Sequence, residues 1–419
     1  MSGPAGLGRS IPLTFSARRL PMDTMVHRAV SERPERRALK ARAFRRNLVQ
    51  AAIIAAVAAL MIGLGYAIRS SLAARGIAFS FGYLASGAGF EISEGYAVAI
   101  STPLGLVPFS SGMTNAQALT VGLFNTLKVA ILAIVVATAL GTLLGVGRLS
   151  TNWLVRQLCF YFVEFVRNTP LLIQLTFWYI AVVLQFPPIS AAAGFPGVIL
   201  SQQGIWLPSI AATDTATGPG IIIFLLALVL GVLSAFISGG KRRWVIVGLS
   251  AILLLGAVIV GGFPFTIDIP EAGRFRASGG TMLSPEFTAI LIGIVVNSSA
   301  YLGEIVRGAI ESLPRGQWEA ARSLGLARND IIKDIVLPQV FRVILPSFGN
   351  QYIGLAKNTS LGIAIGFPDL FNVYGTVANQ TGRSLEGIIV VTLIYLLISL
   401  GISATINRLN ARIQIPGAR

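Results

Sequence analysis

The chain has 419 residues, of which 54% are hydrophobic and only 12% charged, with a mean hydropathy of +0.74. That balance excludes a water-soluble globular domain of this length and makes the lipid bilayer the main solvent. The formal charge of +16 does not call for nucleic acid, because the cost of translocating Lys and Arg gathers cations on one face of a membrane protein.

Residues 1–47 form a basic segment in which Arg28, Arg33, Arg36, Arg37, Lys40, Arg42, Arg45 and Arg46 precede an apolar run over 48–68. Roughly 20 apolar residues suffice to cross the hydrocarbon core as a helix. The run follows a polar stretch too long for a signal peptide and lacks an obvious cleavage site after it, so it reads as a retained anchor. The arginines serve orientation, with contact to anionic lipid as a second use of the same charges. His27 has no neighbour to form a metal site or proton relay and reads as a solvated side chain. Residues 69–117 read as a Gly- and Ser-rich outer loop whose Phe79, Phe81, Tyr83, Phe90 and Tyr96 pack together or lie at the membrane interface.

Further spans are expected over 118–147, 158–185, 220–238, 244–262, 287–310, 347–367 and 385–407. With the N-terminus inside, the inner segments also hold Arg148, Arg156, Lys241, Arg242, Arg243, Arg315, Arg322, Arg328, Lys333, Arg342, Arg408, Arg412 and Arg419. The outer ones hold only Arg69, Arg75, Arg274, Arg276 and Arg383. The expectation is an all-α, polytopic protein of about eight transmembrane helices with both termini cytoplasmic. The pair over 220–262 is a helical hairpin turned at Gly239-Gly240-Lys241-Arg242-Arg243, inserted within outer, Pro- and Gly-rich segments spanning 186–285. Without it and the first span, five helices remain, divided between 118–185 and 286–410, followed by a tail over 411–419. Cys159, the single cysteine, has no intrachain partner and reads as a small buried hydrophobe.

Charged and amide side chains inside spans are costly and mark functional positions. Glu164 with Arg167, and Glu304 with Arg307, stand three apart on one helical face, which suits ion pairs at a gate better than solute ligation. Lys128 lies deeper, where a long stem can also carry its ammonium to the interface. Asn297, Ser298, Ser299 and Glu304, together with Lys357, Asn358, Thr359 and Ser360, are the candidate substrate pathway, since a zwitterion needs donors for its carboxylate and acceptors for its ammonium. Hydrogen bonding between helices by the same residues is the other reading. Thr169-Pro170 should kink its span, and Gly141, Gly145 and Gly147 suit close helix packing.

Residues 311–345 are a polar inner loop. Pro314 and Gly316 break the preceding helix, Gln317 to Leu324 restart it with Glu319 near its start, and Gly325 can adopt the left-handed conformation that stops it. Asn329 and Asp330 begin a second amphipathic helix bearing Ile331, Ile332, Ile335 and Val336, with Pro338 expected to end it. Glu319, Ala320, Ala321, Arg322, Leu324, Gly325 and Arg328 are thereby candidates for gripping something outside the membrane. On shape alone, a loop that merely covers the base of the bundle explains them equally well.

The spacing Glu319-Ala320-Ala321, three residues, Gly325, nine residues, then Ile335-Val336-Leu337-Pro338 resembles the signature cytoplasmic loop of ATP-binding-cassette (ABC) importer permeases. Tyr301-Leu302-Gly303-Glu304-Ile305-Val306-Arg307-Gly308, Asn125-Thr126-Leu127-Lys128, Arg167-Asn168-Thr169-Pro170-Leu171-Leu172 and Lys357-Asn358-Thr359-Ser360-Leu361 resemble the subfamily that imports polar amino acids. The anchor and the inserted hairpin resemble the larger permease subunit of general L-amino-acid importers, which handle glutamate, glutamine, aspartate and asparagine.

The resemblance implies a type I importer core of five helices in a bacterial inner membrane. It also implies a second, related permease subunit, two copies of a cytoplasmic ATPase carrying ATP and Mg²⁺, and a periplasmic amino-acid-binding protein. The chain lacks a Gly-x-x-x-x-Gly-Lys-Ser/Thr phosphate loop, so it is expected to be no enzyme and to bind no cofactor or metal itself. A self-contained channel or secondary transporter for small polar solutes is the alternative.

Overall fold

The computed structural model describes residues 22–74, 79–98, 106–192, 197–212, 218–235, 241–261, 265–327 and 330–413. Helix accounts for 75% of it, as the apolar composition requires: only a helix or closed barrel satisfies its own backbone inside lipid. The chain divides into two compact units, 1–80 and 81–419.

Among its described residues, the first unit holds one helix, α1 (Met22–Ala74). Residues 22–47 of the basic segment and the apolar run expected after it are therefore continuous helix, and Phe44–Ser71 is long and apolar enough to cross a membrane. Its large side chains, Leu60 and Ile62 among them, lie open.

The second unit is organised around α2 (Asn115–Arg148) and α7 (Pro285–Glu311). Both have decisive start signals. Thr114 and Gln117 form a reciprocal capping box at the head of α2, and the Ser284 hydroxyl accepts from the Phe287 amide ahead of Pro285 in the first turn of α7. The two helices run parallel and approach closely because of glycine. A Cβ on Gly141 would lie 2.9 Å from the Ser299 carbonyl oxygen, and one on Gly145 only 2.6 Å from that of Gly303. The expected packing role of these glycines holds, and Gly147 likewise makes room for the Cys159 sulfur.

The span expected over 158–185 is two pieces, α3 (Trp153–Asn168) and α4 (Leu171–Phe177), and α4 runs on into a π-helical turn and a 3₁₀ turn ending at Gln185. The break falls at Thr169-Pro170, where proline offers no amide. The buried Gln174 side chain bridges the break, donating to the carbonyls of Val166 (2.8 Å) and Thr169 (2.9 Å).

The span expected over 347–367 begins earlier. A π-helical segment, Ile331–Val336, runs without interruption into α9 (Leu337–Asn358), and a 3₁₀ segment follows from Thr359 to Ile365. Pro338 therefore does not end the helix: it occupies the first turn after the π segment, where a missing amide costs little. After α10 (Leu370–Thr381), α11 (Ser384–Ile413) closes the bundle. Among the described residues, Phe44–Ser71 and three helices of this unit, α2, α7 and α11, are each long and apolar enough to cross a membrane alone. The broken pieces reach comparable length only in combination.

The outer segments contain short strands that the sequence reading did not anticipate. Strand β1 (Tyr96–Val98) pairs with β2 (Leu106–Pro108), and β3 (Ile199–Ser201), β4 (Gly204–Leu207) and β7 (Thr281–Leu283) form a three-stranded sheet. Strand β5 (Ser209–Ala212) lies antiparallel to β6 (Phe265–Asp268), with Ser209 opposite Asp268. This ribbon is the stem of the inserted hairpin, whose helices α5 (Gly218–Ala235) and α6 (Lys241–Gly261) pack on each other. The expected turn at 239–243 falls partly outside the described residues.

Packing is inverted relative to a soluble protein. Leu143, Phe165 and Leu397 stand open to the surroundings while Asn125, Asn297, Ser298 and Ser299 are buried. An apolar solvent demands that arrangement.

Candidate functional site

Two features converge where α2, α3, α7 and α9 meet. The first is an ionic cluster. Arg148, in the last turn of α2, pairs with Glu304 of α7 and lies 3.4 Å from Glu164 of α3, with its guanidinium 5.1 Å from the Phe160 ring centre. Arg307 pairs with Glu304 one turn back and with Glu311 one turn ahead. Arg167 is held more loosely, 3.9 Å from Glu164 and 3.8 Å from Glu304, and lies over Tyr301. The ion pairs expected within each helix are present, but they belong to a network between helices. Its hub, Arg148, has a side chain only 8% exposed. Sequence reasoning assigned Arg148 to orientation, because an arginine just past an apolar run normally has that role.

The second feature is a cavity of about 430 Å³ lined by Arg167, Asn168, Thr169, Pro170 and Leu171 at the α3–α4 break, Asn297 and Tyr301 on α7, and Gln351, Gly354 and Asn358 on α9. The kink at Pro170 creates it, since the chain's departure from a straight helix leaves the space. Its polar groups are one guanidinium, several amides and a phenol, a set that presents both donors and acceptors to a small zwitterion.

The structure divides the candidate pathway residues. Asn297 and Asn358 line this cavity. Ser298 and Ser299 are buried, and the Ser299 hydroxyl donates to the Val296 carbonyl within its own helix, beside the glycines of α2. Thr359 is fully buried and bonds to the Ala356 carbonyl. Lys357 and Ser360 line a different, largely apolar cavity of about 420 Å³ against α10 and α11, with Tyr395. Glu304 belongs to the ionic cluster. Alternation of direction around a helix separates neighbours that look equivalent in sequence.

At the other end of α2, Lys128 is paired at 2.9 Å with Glu94 of the outer loop, and its ammonium sits 4.2 Å above the Phe287 ring. Glu94 also accepts from the Ser284 hydroxyl at the head of α7. The Asn125 side chain donates to the carbonyls of Glu94 (2.9 Å) and Pro368 (3.0 Å). Four chain segments are thereby tied together.

The polar loop forms α8 (Arg315–Ser323), and Gly325 at φ +73° closes it in the left-handed conformation expected there. Ala321 is buried, in a cluster with Leu302 and Val306 of α7 and Val340, Ile344 and Phe348 of α9. Of the two alanines expected among the gripping residues, only Ala320 is therefore open. Ala321 faces the bundle, and the open side consists of Glu319, Ala320, Arg322 and Leu324, the last 78% exposed. Arg328 and Asn329 lie outside the described residues.

A family model described as a binding-protein-dependent transport system inner membrane component matches residues 133–415. The chain is 38% identical to the general L-amino acid transport system permease protein AapQ of Rhizobium johnstonii, over 82% of this chain and 86% of that protein. It is 37% identical to the putative amino-acid ABC transporter permease protein YhdX of Escherichia coli, over 88% and 94%. A third relative, 32% identical over 82% and 88%, is the glutamate/glutamine/aspartate/asparagine transport system permease protein BztB of Rhodobacter capsulatus. With its core matched from α2 to the tail, the chain belongs to the family of binding-protein-dependent transport system inner membrane components.

Proposed function

We propose that this chain is a transmembrane permease subunit of an ATP-driven importer of L-amino acids, with glutamate, glutamine, aspartate and asparagine among its substrates. The names of the three relatives support the substrate class. The family description, a component of a binding-protein-dependent system, supports it over a self-contained channel. Its partners are a second related permease subunit, two cytoplasmic ATPase subunits that carry ATP and Mg²⁺, and a periplasmic binding protein. Both termini and α8 lie on the cytoplasmic side, as the distribution of Lys and Arg supports.

One observation carries the mechanism: α8 has one buried and one open face. Ala321 is packed among side chains of α7 and α9, while Glu319, Ala320 and Leu324 remain free for another chain. A displacement imposed on the open face passes as a rigid-body push into the two helices that supply Asn297, Tyr301, Gln351 and Asn358 to the cavity. Closure of the ATPase pair around ATP supplies that displacement, and the cavity alternates its access. This chain performs no covalent chemistry.

Reconstitution tests the reading. Vesicles holding the complete set of subunits should accumulate labelled glutamate and glutamine only with ATP inside and binding protein outside. Accumulation by this chain alone, without ATP, would instead establish a self-contained transporter.

A further inference from the structure

Arg148, Arg167 and Arg307 share two carboxylates, Glu164 and Glu304, before the more exposed Glu311 is counted. The sharing is unequal. Arg148 is the most buried and touches both carboxylates, and Arg307 holds Glu304 from the other side. Arg167 stays at 3.8–3.9 Å from them, beyond hydrogen-bond range, and its buried Nε has no hydrogen-bond partner among the described residues. It is also the one charged side chain lining the cavity, beside the amides of Asn297, Gln351 and Asn358.

A guanidinium with a buried, unused donor is an expensive arrangement unless an anion meets it. We infer that Arg148 is a positioning residue: by occupying Glu164 and Glu304 it keeps Arg167 free to receive a carboxylate of the amino acid in the cavity. The inference rests on the proposed transport function and gives one residue outside the cavity a role in solute capture. Arginine suits the position of Arg148 because its planar fork can hold two carboxylates on different helices at once. Without it, the two anions turn to Arg167 and draw it off the cavity.

The test uses the purified permease–ATPase complex without binding protein, so that retained label reports the membrane cavity alone. Labelled glutamate is titrated onto wild type, Arg148→Gln, Arg148→Lys and Arg167→Gln, with ATPase copurification as the measure of assembly. The expected result is normal assembly throughout, binding weakened about tenfold or more in Arg148→Gln and Arg167→Gln, and partial recovery in Arg148→Lys. Combining Arg148→Gln with Glu164→Gln, which removes one competing anion, should restore part of the affinity. Wild-type binding by Arg148→Gln overturns the inference, as does equal loss of assembly in both Arg148 variants. A wild-type complex that transports but retains no label overturns it while leaving the transport reading intact. A complete transporter that fails to accumulate glutamate or glutamine overturns the reading itself.

Discussion

Arg148 and Glu304 are 156 positions apart and form an ion pair that joins the end of α2 to α7 about two turns before α7 ends. Along α7 the pair lies between the residues that line the cavity and the element proposed to receive mechanical drive. Removing the carboxylate alone is the harsher change, because it takes from buried Arg148 the closer of its two partners and leaves it only Glu164, at 3.4 Å. Glu304→Ala should lower the thermal unfolding midpoint in detergent more than Arg307→Ala does, by about 2 kcal/mol of stability against about 1 kcal/mol. Equal effects would mean that the hub is solvated.

Glycine packing between α2 and α7 gives a second prediction. Gly145→Ala places a methyl group 2.6 Å from the Gly303 carbonyl oxygen, whereas Gly308→Ala meets nothing within 4 Å. The first should destabilise by about 1–3 kcal/mol and the second should be neutral or slightly stabilising, since alanine favours helix. Thermal unfolding of the two purified variants side by side checks the contrast.

The outer tie through Glu94 predicts coupling across 34 positions. Glu94→Ala removes the acceptor for Lys128 and for Ser284 together, and a double-mutant cycle with Lys128→Ala should show about 0.5–1 kcal/mol of interaction. The Lys128 side chain is 41% exposed, which keeps that figure small. An additive cycle would show that the pair contributes nothing.

The two alanines of α8 should behave oppositely. Ala321→Asp puts a carboxylate among Leu302, Val306 and Phe348 and should prevent stable folding. Ala320→Asp is exposed and should leave the unfolding midpoint within about 0.5 kcal/mol of wild type while weakening ATPase copurification. Comparable stability losses in both would remove the distinction between the two faces.

Much of this was legible in sequence for physical reasons. Apolar runs of spanning length, the proline at 170 and the left-handed Gly325 are local signals, and each decides local structure. What was not legible depends on direction around a helix or on partners far along the chain. Ser299 and Asn297 stand two positions apart, yet one packs against glycine and the other lines the cavity. Arg148 reads as an orientation signal until α3 and α7 bring carboxylates to it. Glu94, in a Gly- and Ser-rich loop, gives no sign that it clamps α2 to α7. Pro338 reads as a stop unless the π segment before it is known. The β5–β6 stem is too short, at four residues a strand, to show an alternating pattern of its own.

The central claim is that drive enters through the open face of α8, and Glu319→Lys tests it most directly. The variant chain, coexpressed with its partner subunits, should insert in normal amount and unfold at the wild-type temperature, yet fail to copurify the ATPase and fail to support ATP-dependent uptake of labelled glutamate in vesicles. Undiminished copurification together with wild-type uptake would contradict the account.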